Sequence, residues 1–250
     1  MKSKFNFANF SAMPGVIIFP DFAKGCLITL TKTLSTPEYM ERQIAEFDRL
    51  LNRPDVRQFA HFWHKDTTGS QIFVDDKDAL LPTAKYFKNK AAQQDRRESY
   101  GYHITLANGR GESRLIGYTV VWGIRNGLAE ICCFLDPSYS RYGRGPAVIK
   151  KLKEQLKECG IDKFALSSHT DNKFTMTAAT AAGYEFVGIE KNFKGDPMIA
   201  YDIDDKVVRL PYDRMMFADC PEQACAADET VSAPCAATCP YVIRNRQKVK

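Results

Sequence analysis

The stretch LDPSYSRYGRGPAVIKKL, from Leu135 to Leu152, changes character halfway along. An apolar run, LAEICCFL, feeds a turn rich in Tyr, Arg and Gly, and the turn opens directly into a lysine-studded helical pattern. The first amides of a helix have no intrahelical acceptor and carry the positive end of the helix dipole. A turn at that place suits a pyrophosphate, because Gly143 and Gly145 let the backbone approach an anion closely. Arg141 and Arg144 add guanidinium groups able to make charge-assisted hydrogen bonds to it. Two nucleotide-binding patterns are excluded. No G-x-x-x-x-G-K followed by Ser or Thr is present, and Val148 stands where the dinucleotide fingerprint needs its third glycine.

The elements that must position this turn can be read on either side of it. GVIIF (15–19) and GCLITLTKTL (25–34) are extended runs. Ser35-Thr36-Pro37-Glu38 supplies a helix start, and Met40, Ile44, Phe47, Leu50 and Leu51 form the apolar stripe of the helix that follows. RPDVRQFAHFWH reads as a second short helical piece, and residues 82–97 as another helix beyond a loop. YGYHITLA, RLIGYTVVWGI and LAEICCFL then read as three antiparallel strands, the last two joined at Asn126-Gly127. After the glycine turn a helix is expected over Ala147–Cys159, closed by Gly160. DKFALSSH is the next strand, KFTMTAATAA a helix ending at Gly183, and YEFVGIEKN with PMIAYDID a final strand pair. Beyond Asp205 the regular alternation stops. This order predicts a mixed α/β (α+β) sheet with helices between its later strands.

Composition narrows the class. The 250 residues are 44% hydrophobic and 26% charged, ordinary for a soluble globular protein. No apolar run approaches the roughly 18 residues of a membrane span. The VIIF core near the N-terminus is too short for a secretory signal, so a cytoplasmic protein with no membrane partner is expected. The net charge of +5 is compatible with anionic ligands but does not by itself identify a nucleic-acid binder. Basic residues gather in Lys85–Arg97, around the glycine turn and in the terminal RNRQKVK. Cys26, Cys132, Cys133 and Cys159 sit among apolar residues as small core hydrophobes. Cys220, Cys225, Cys235 and Cys239 cluster with a spacing that matches no known zinc ribbon or finger. Metal ligation, disulfides and an unconstrained tail stay open for them.

The context of the turn resembles the acyl-CoA-binding signature of the GNAT N-acyltransferase superfamily. That signature is a strand, D-P-x-Y, then Arg or Gln three residues before a G-x-G or G-x-A that opens a helix. Gly143 and Gly145 fall on its small positions, while Ser140 replaces the Arg or Gln, with Arg141 adjacent. A second motif agrees: Asn172 follows the next strand, and Gly183-Tyr184 comes eleven residues later. LLNRPDVRQFAHF is similar to the helix-turn segment of the Rim-type branch. The resemblance covers residues 25–205, leaving 1–24 as an N-terminal extension and 206–250 as a C-terminal extension and cysteine-bearing tail.

The resemblance implies a mostly antiparallel sheet with splayed central strands, and acetyl-CoA or another acyl-CoA as donor. Phe134 and Leu135 would bond the pantetheine arm through their backbones. The turn Ser140, Arg141, Tyr142, Gly143, Arg144 and Gly145 would face the pyrophosphate, and Asn172 would hold the arm or a water beside it. Acyl transfer to an amine needs a base for the nucleophile and often an acid for the leaving thiolate. Glu130 and His169 are the candidate bases. The usual acid, a Tyr seven residues after the motif Asn, is Ala179 here, which leaves Tyr102, Tyr118, Tyr139 and Tyr142 as substitutes. His61 and His64 are expected to be structural, and no metal is assigned. The implied activity is N-acylation of a primary amine whose identity the sequence does not name, nor does it name an oligomeric state. The alternatives are a nucleic-acid-directed protein on the same fold, or a CoA-binding member without activity.

Overall fold

The computed structural model describes residues 12–34, 36–51, 53, 63–65, 71–73, 91–95, 97, 99–125, 128–191, 198–201, 207–210 and 213–219. In chain order the elements begin with β1 (Val16–Pro20), β2 (Leu27–Lys32) and α1 (Pro37–Leu51). A short hairpin of β3 (Trp63–Lys65) and β4 (Gln71–Phe73) follows. Next come β5 (Tyr100–Ala107), β6 (Ser113–Arg125), β7 (Leu128–Leu135), α2 (Arg144–Glu158), β8 (Lys163–His169) and α3 (Lys173–Ala181). The last are β9 (Glu185–Glu190), β10 (Met198–Tyr201), β11 (Val207–Leu210) and β12 (Arg214–Ala218). Eight strands form one sheet in the order β1-β2-β5-β6-β7-β8-β12-β9. Every pairing within it is antiparallel except β7 with β8. The mixed, mostly antiparallel sheet flanked by helices is the one expected from the sequence.

Both later helices end as their glycines require. Gly160 and Gly183 take positive φ, and the amides of Ile161 and Tyr184 reach back to the carbonyls of Leu156 and Ala179. This is the Schellman closure. Val148, Ile149, Leu152 and Leu156 of α2 are buried at helical spacing and join the core with Ile131, Phe164 and Phe217 from the strands. α1 lies against β6, with Phe47 fully buried and edge-on to Tyr118.

Several boundaries differ from the sequence reading. α2 starts at Arg144, three residues before the expected Ala147, because Gly143 turns the chain and Pro146 is tolerated where its missing N–H would have no acceptor. Trp63 and His64 lie in a strand, not a helical piece. β10 pairs with β11, not with β9, and β12 fills the slot between β8 and β9. Residues 214–218 are therefore an interior strand and not an extension. RMMFA is buried throughout, so it carries no polar alternation to announce itself. At the other end β1 is the edge strand of the sheet, so residues 16–20 also belong to it. The expected helix over 82–90, the Asn126-Gly127 turn, His61, the four tail cysteines and the terminal basic run lie outside the described residues. No helix among the described residues is long and apolar enough to cross a membrane.

His103 on β5 is buried beside Phe47 and Tyr118, with its Nδ1 2.8 Å from the Tyr39 hydroxyl. Burial pushes its pKa down to about 3, so it is folded as neutral imidazole. Unfolded, the same ring takes a proton near about 6.5, and between these values the unfolded chain binds more protons. Its contribution is therefore complete above about pH 6.5 and is lost as pH falls toward 3. Melting temperatures measured from pH 7 to pH 4 should fall more steeply for wild type than for His103→Phe. Parallel curves would show that the ring is not the source.

Candidate functional site

The parallel register of β7 and β8 spans Leu128↔Lys163, Ala129↔Phe164 and Glu130↔Ala165, and stops there. Beyond it β8 pairs on its other edge with β12, from Ala165↔Ala218 to His169↔Arg214. β7 continues beside β6 as far as Leu135↔Gly117. The two strands therefore part, opening a wedge with Glu130 at its vertex and a length along β7 of five residues, about 17 Å. A Cβ on Gly117 would stand 2.2 Å from the Phe134 carbonyl oxygen, which shows that this carbonyl is aimed at β6. The Asp136 amide likewise donates to the Ile116 carbonyl at 2.7 Å. Ile116 is the extra residue of a bulge in β6, since Ile104 pairs with Gly117 and Thr105 with Leu115. Backbone groups of alternate residues point to opposite edges of a strand, so those of Ile131, Cys133 and Leu135 are directed into the wedge. Of the two residues expected to offer their backbones to the arm, Leu135 directs its groups into the wedge, as does Cys133, whereas Phe134 is corrected, its carbonyl being aimed at β6. The Cys133 thiol is pushed up to about 12 by burial and stays protonated.

The loop after β7 closes the wide end of the wedge. The buried carboxylate of Asp136 accepts the Ser138 amide at 2.9 Å and Arg53 at 2.9 Å. Ser140 donates its hydroxyl to the Pro137 carbonyl at 3.0 Å and is exposed, as are Arg141, Tyr142 and Gly143. Tyr142 and Gly143 are both left-handed, at φ 65° and 71°, and α2 begins immediately after them. No side chain caps this helix and no acidic residue sits in its first turn. Its leading amides and dipole are thus left for an anion.

One charged side chain is not available to such an anion. Arg144 is buried and donates through Nε at 2.9 Å and Nη2 at 2.7 Å to the two carboxylate oxygens of Asp21. The hydrogen bonds from Arg144 hold the Asp21 carboxyl below its ordinary range against the opposing effect of burial, and the guanidinium is raised in turn. The expectation that the Arg144 side chain meets a phosphate is corrected, and only its amide remains at the helix start.

The two candidate bases are not brought together. Glu130 accepts a hydrogen bond from the Ser167 hydroxyl at the vertex. His169 ends β8 four residues beyond the partner of Glu130, about 13 Å along the strand. Its Nδ1 accepts the Asp171 amide at 3.0 Å. Asn172 precedes α3, its carbonyl accepting the Thr175 amide at 3.1 Å while its side chain makes no capping bond. Ala179, at the usual acid position, is fully buried in the core. Two substitute acids are also corrected. Tyr102 donates to the Pro14 carbonyl at 2.9 Å with its pKa raised by burial, and Tyr118 is 3.0 Å from the Thr33 hydroxyl, both deep in the core. Tyr139 lies under Arg114, and Tyr142 is exposed on the loop. Sequence reasoning missed Ser167, Cys133 and Asp21. The alternation in KFALSSH placed Ser167 on the same face as His169 and was the signal for it. Among the described residues, no group of three or more His, Cys, Asp or Glu side chains is placed to hold a metal.

Comparison with known proteins bears on this arrangement. The model of the acetyltransferase (GNAT) family matches residues 39–184. The chain is similar to RimJ of Mycobacterium smegmatis, solved in complex with CoA-disulfide, with a TM-score of 0.58 and 15% identity over 88% of this chain and 92% of that one. It is also similar to a Salmonella typhimurium acetyltransferase that modifies the N-terminal serine of a 50S ribosomal subunit protein, with TM-score 0.55 and 15% identity over 81% and 98% of the two chains. A third likeness is to the microcin self-immunity acetyltransferase MccE in complex with acetyl-CoA and AMP, with TM-score 0.52 and 14% identity over 76% and 91%. A search of curated proteins finds no match.

The three glycines around the site should respond differently to a methyl group. Gly143→Ala should cost about 1–2 kcal/mol for its left-handed backbone. Gly117→Ala should cost about 1–3 kcal/mol or more, because its Cβ meets backbone and cannot be accommodated by a rotamer change. Gly145→Ala should be neutral, its Cβ making an ordinary 3.7 Å contact with Leu135. Urea melts of the three variants check the order.

Proposed function

The chain belongs to the GNAT acetyltransferase family, and from that premise we propose where each part of its reaction takes place. It is an N-acetyltransferase whose acyl donor is acyl-CoA. The observation that carries the assignment is the parting of β7 from β8 directly below an uncapped helix start. The amides of Gly143, Arg144 and Gly145 take the pyrophosphate, with Arg141, Tyr142 and the Ser140 hydroxyl at its rim. The backbone groups of Leu135 and Cys133 take the pantetheine arm along the wedge. Asn172 borders the arm from the β8 side.

A thioester seated at the vertex supplies an activated carbonyl beside Glu130. As the amine nitrogen attacks that carbonyl, Glu130 accepts the proton it sheds, and Ser167 keeps the carboxylate turned toward the wedge. The C–S bond breaks and the proton held by Glu130 is then available to the departing thiolate. With Ala179 buried, no phenol from that position assists. His169, about 13 Å along β8 from the vertex, stands too far from it to take part in this proton transfer. The acceptor is a primary amine. Since the Salmonella neighbour modifies an N-terminal serine, a peptide α-amine is the first class to assay. A CoA-dependent donor fits a cytoplasmic location. The nucleic-acid reading rests on basic segments that lie almost wholly outside the described residues, and no observation favours it.

Acetyl-CoA should raise the melting temperature, and Gly143→Asp, which puts a carboxylate in the anion cradle, should abolish the rise. No shift with saturating acetyl-CoA, CoA or longer acyl-CoAs would sink the assignment. Glu130→Gln should lower kcat by about 100-fold or more while leaving the acetyl-CoA-induced shift intact. Turnover at the wild-type rate would move the base elsewhere.

A further inference from the structure

The cradle is gripped by a residue from a distant part of the chain. Asp21 follows β1 at the sheet edge, 123 residues before Arg144, and its carboxylate takes two guanidinium hydrogens in a fork. The pair is nearly dry, with side-chain exposures of 8% for Arg144 and 0% for Asp21. The remaining Nη1 donates to the Tyr139 carbonyl at 3.2 Å. One guanidinium thus ties together the turn after β1, the middle of the loop and the first residue of α2. Asp21 is itself anchored, its amide donating to the Cys26 carbonyl at 2.9 Å and its carboxylate accepting the Ala23 amide at 3.4 Å. The next residue, Phe22, packs toward the loop, since a Cβ on Gly143 would lie 3.6 Å from its ring.

We propose that Asp21 is a positioning residue for the acyl donor. Through Arg144 it holds the Gly143–Gly145 amides in the geometry that takes the pyrophosphate, so the β1–β2 turn sets donor affinity without contacting the donor. The inference rests on the reading of this loop as the pyrophosphate site. Two successive left-handed residues, one of them a tyrosine, form a conformation that a loose loop would abandon. The fork from Asp21 fixes the residue that immediately follows them. Preorganised amides bind an anion without the cost of ordering the loop, and a loop released from Asp21 would bear that cost at each binding event.

Calorimetric titration of the full chain with CoA and with pantetheine separates the inference from its premise. Wild type should bind CoA at least about 10-fold more tightly than pantetheine, which lacks the pyrophosphate. Equal affinities would remove the loop reading, and the inference with it. Asp21→Asn should weaken CoA by about 10-fold while leaving pantetheine within about twofold, and Asp21→Glu should recover part of the loss. Unchanged CoA affinity in Asp21→Asn, or equal weakening of both ligands, overturns the positioning role. Should Asp21→Asn fail to fold, the pair Asp21→Asn with Arg144→Gln, which keeps a neutral hydrogen-bonded contact, is titrated against the same two criteria.

Discussion

β8 keeps β12 beside it in an antiparallel ladder from Ala165 as far as His169, whereas its parallel ladder with β7 ends at Ala165. The wedge follows from that divergence. So does the position of the helix, because two parallel neighbours must be joined by a crossover. The crossover leaves β7 at the wide end of the wedge, and its helix, α2, therefore presents its leading amides there. One topological choice delivers both the wedge and a helix start without a side-chain cap at its mouth. The Asp136 amide takes the Ile116 carbonyl, the next position of the β6–β7 ladder, and the loop starts from there.

The loop is held by contacts from outside itself. Tyr142 occupies a left-handed conformation at a cost of about 1–2 kcal/mol, and α2, with glycine at its N-cap, forgoes a side-chain cap at a cost of roughly a few tenths of a kcal/mol. Two carboxylate–guanidinium pairs offset this, Asp136 with Arg53 at the start of the loop and Asp21 with Arg144 at its end. The second is buried, and removing one partner of such a pair costs about 3–5 kcal/mol. Arginine is suited to the place for the reason that removes it from the pyrophosphate. Its planar fork matches a carboxylate, and once matched and buried it has little left to offer an incoming anion.

What the sequence made legible was whatever depends on local chemistry. The three strands from Tyr100 to Leu135 are apolar and aromatic runs bounded by turn residues, and Gly160 and Gly183 end their helices in a left-handed backbone that glycine adopts without strain. The glycine turn itself was readable for the same reason. The parity of β7 was not, because which edge a carbonyl faces depends on register with β6, a strand whose pairing the local sequence does not state. The partner of Arg144 was not readable either, since an ion pair spanning 123 residues leaves no periodicity. β12 was hidden by its own burial: a strand flanked on both edges and covered on both faces has no polar side to alternate.

The missing phenol bears on which acceptor the site suits. A thiol ionises near about 8.5, so a thiolate departs from an acyl carbon without prior protonation far more readily than an amine would. The harder task lies on the attacking side, where the nucleophile must be neutral before it attacks. A lysine amine, ionising near about 10.4, is almost wholly protonated at neutral pH, while an α-amine, near about 7.7–8.0, is partly neutral without help. A site with one carboxylate at its vertex, tied to Ser167, and Ala179 buried where an acid would stand can remove one proton during attack. It has little means of first deprotonating a strongly basic amine. Under the proposed placement of the reaction, the wedge would thus suit acceptors of low basicity, and a peptide N-terminus meets that condition.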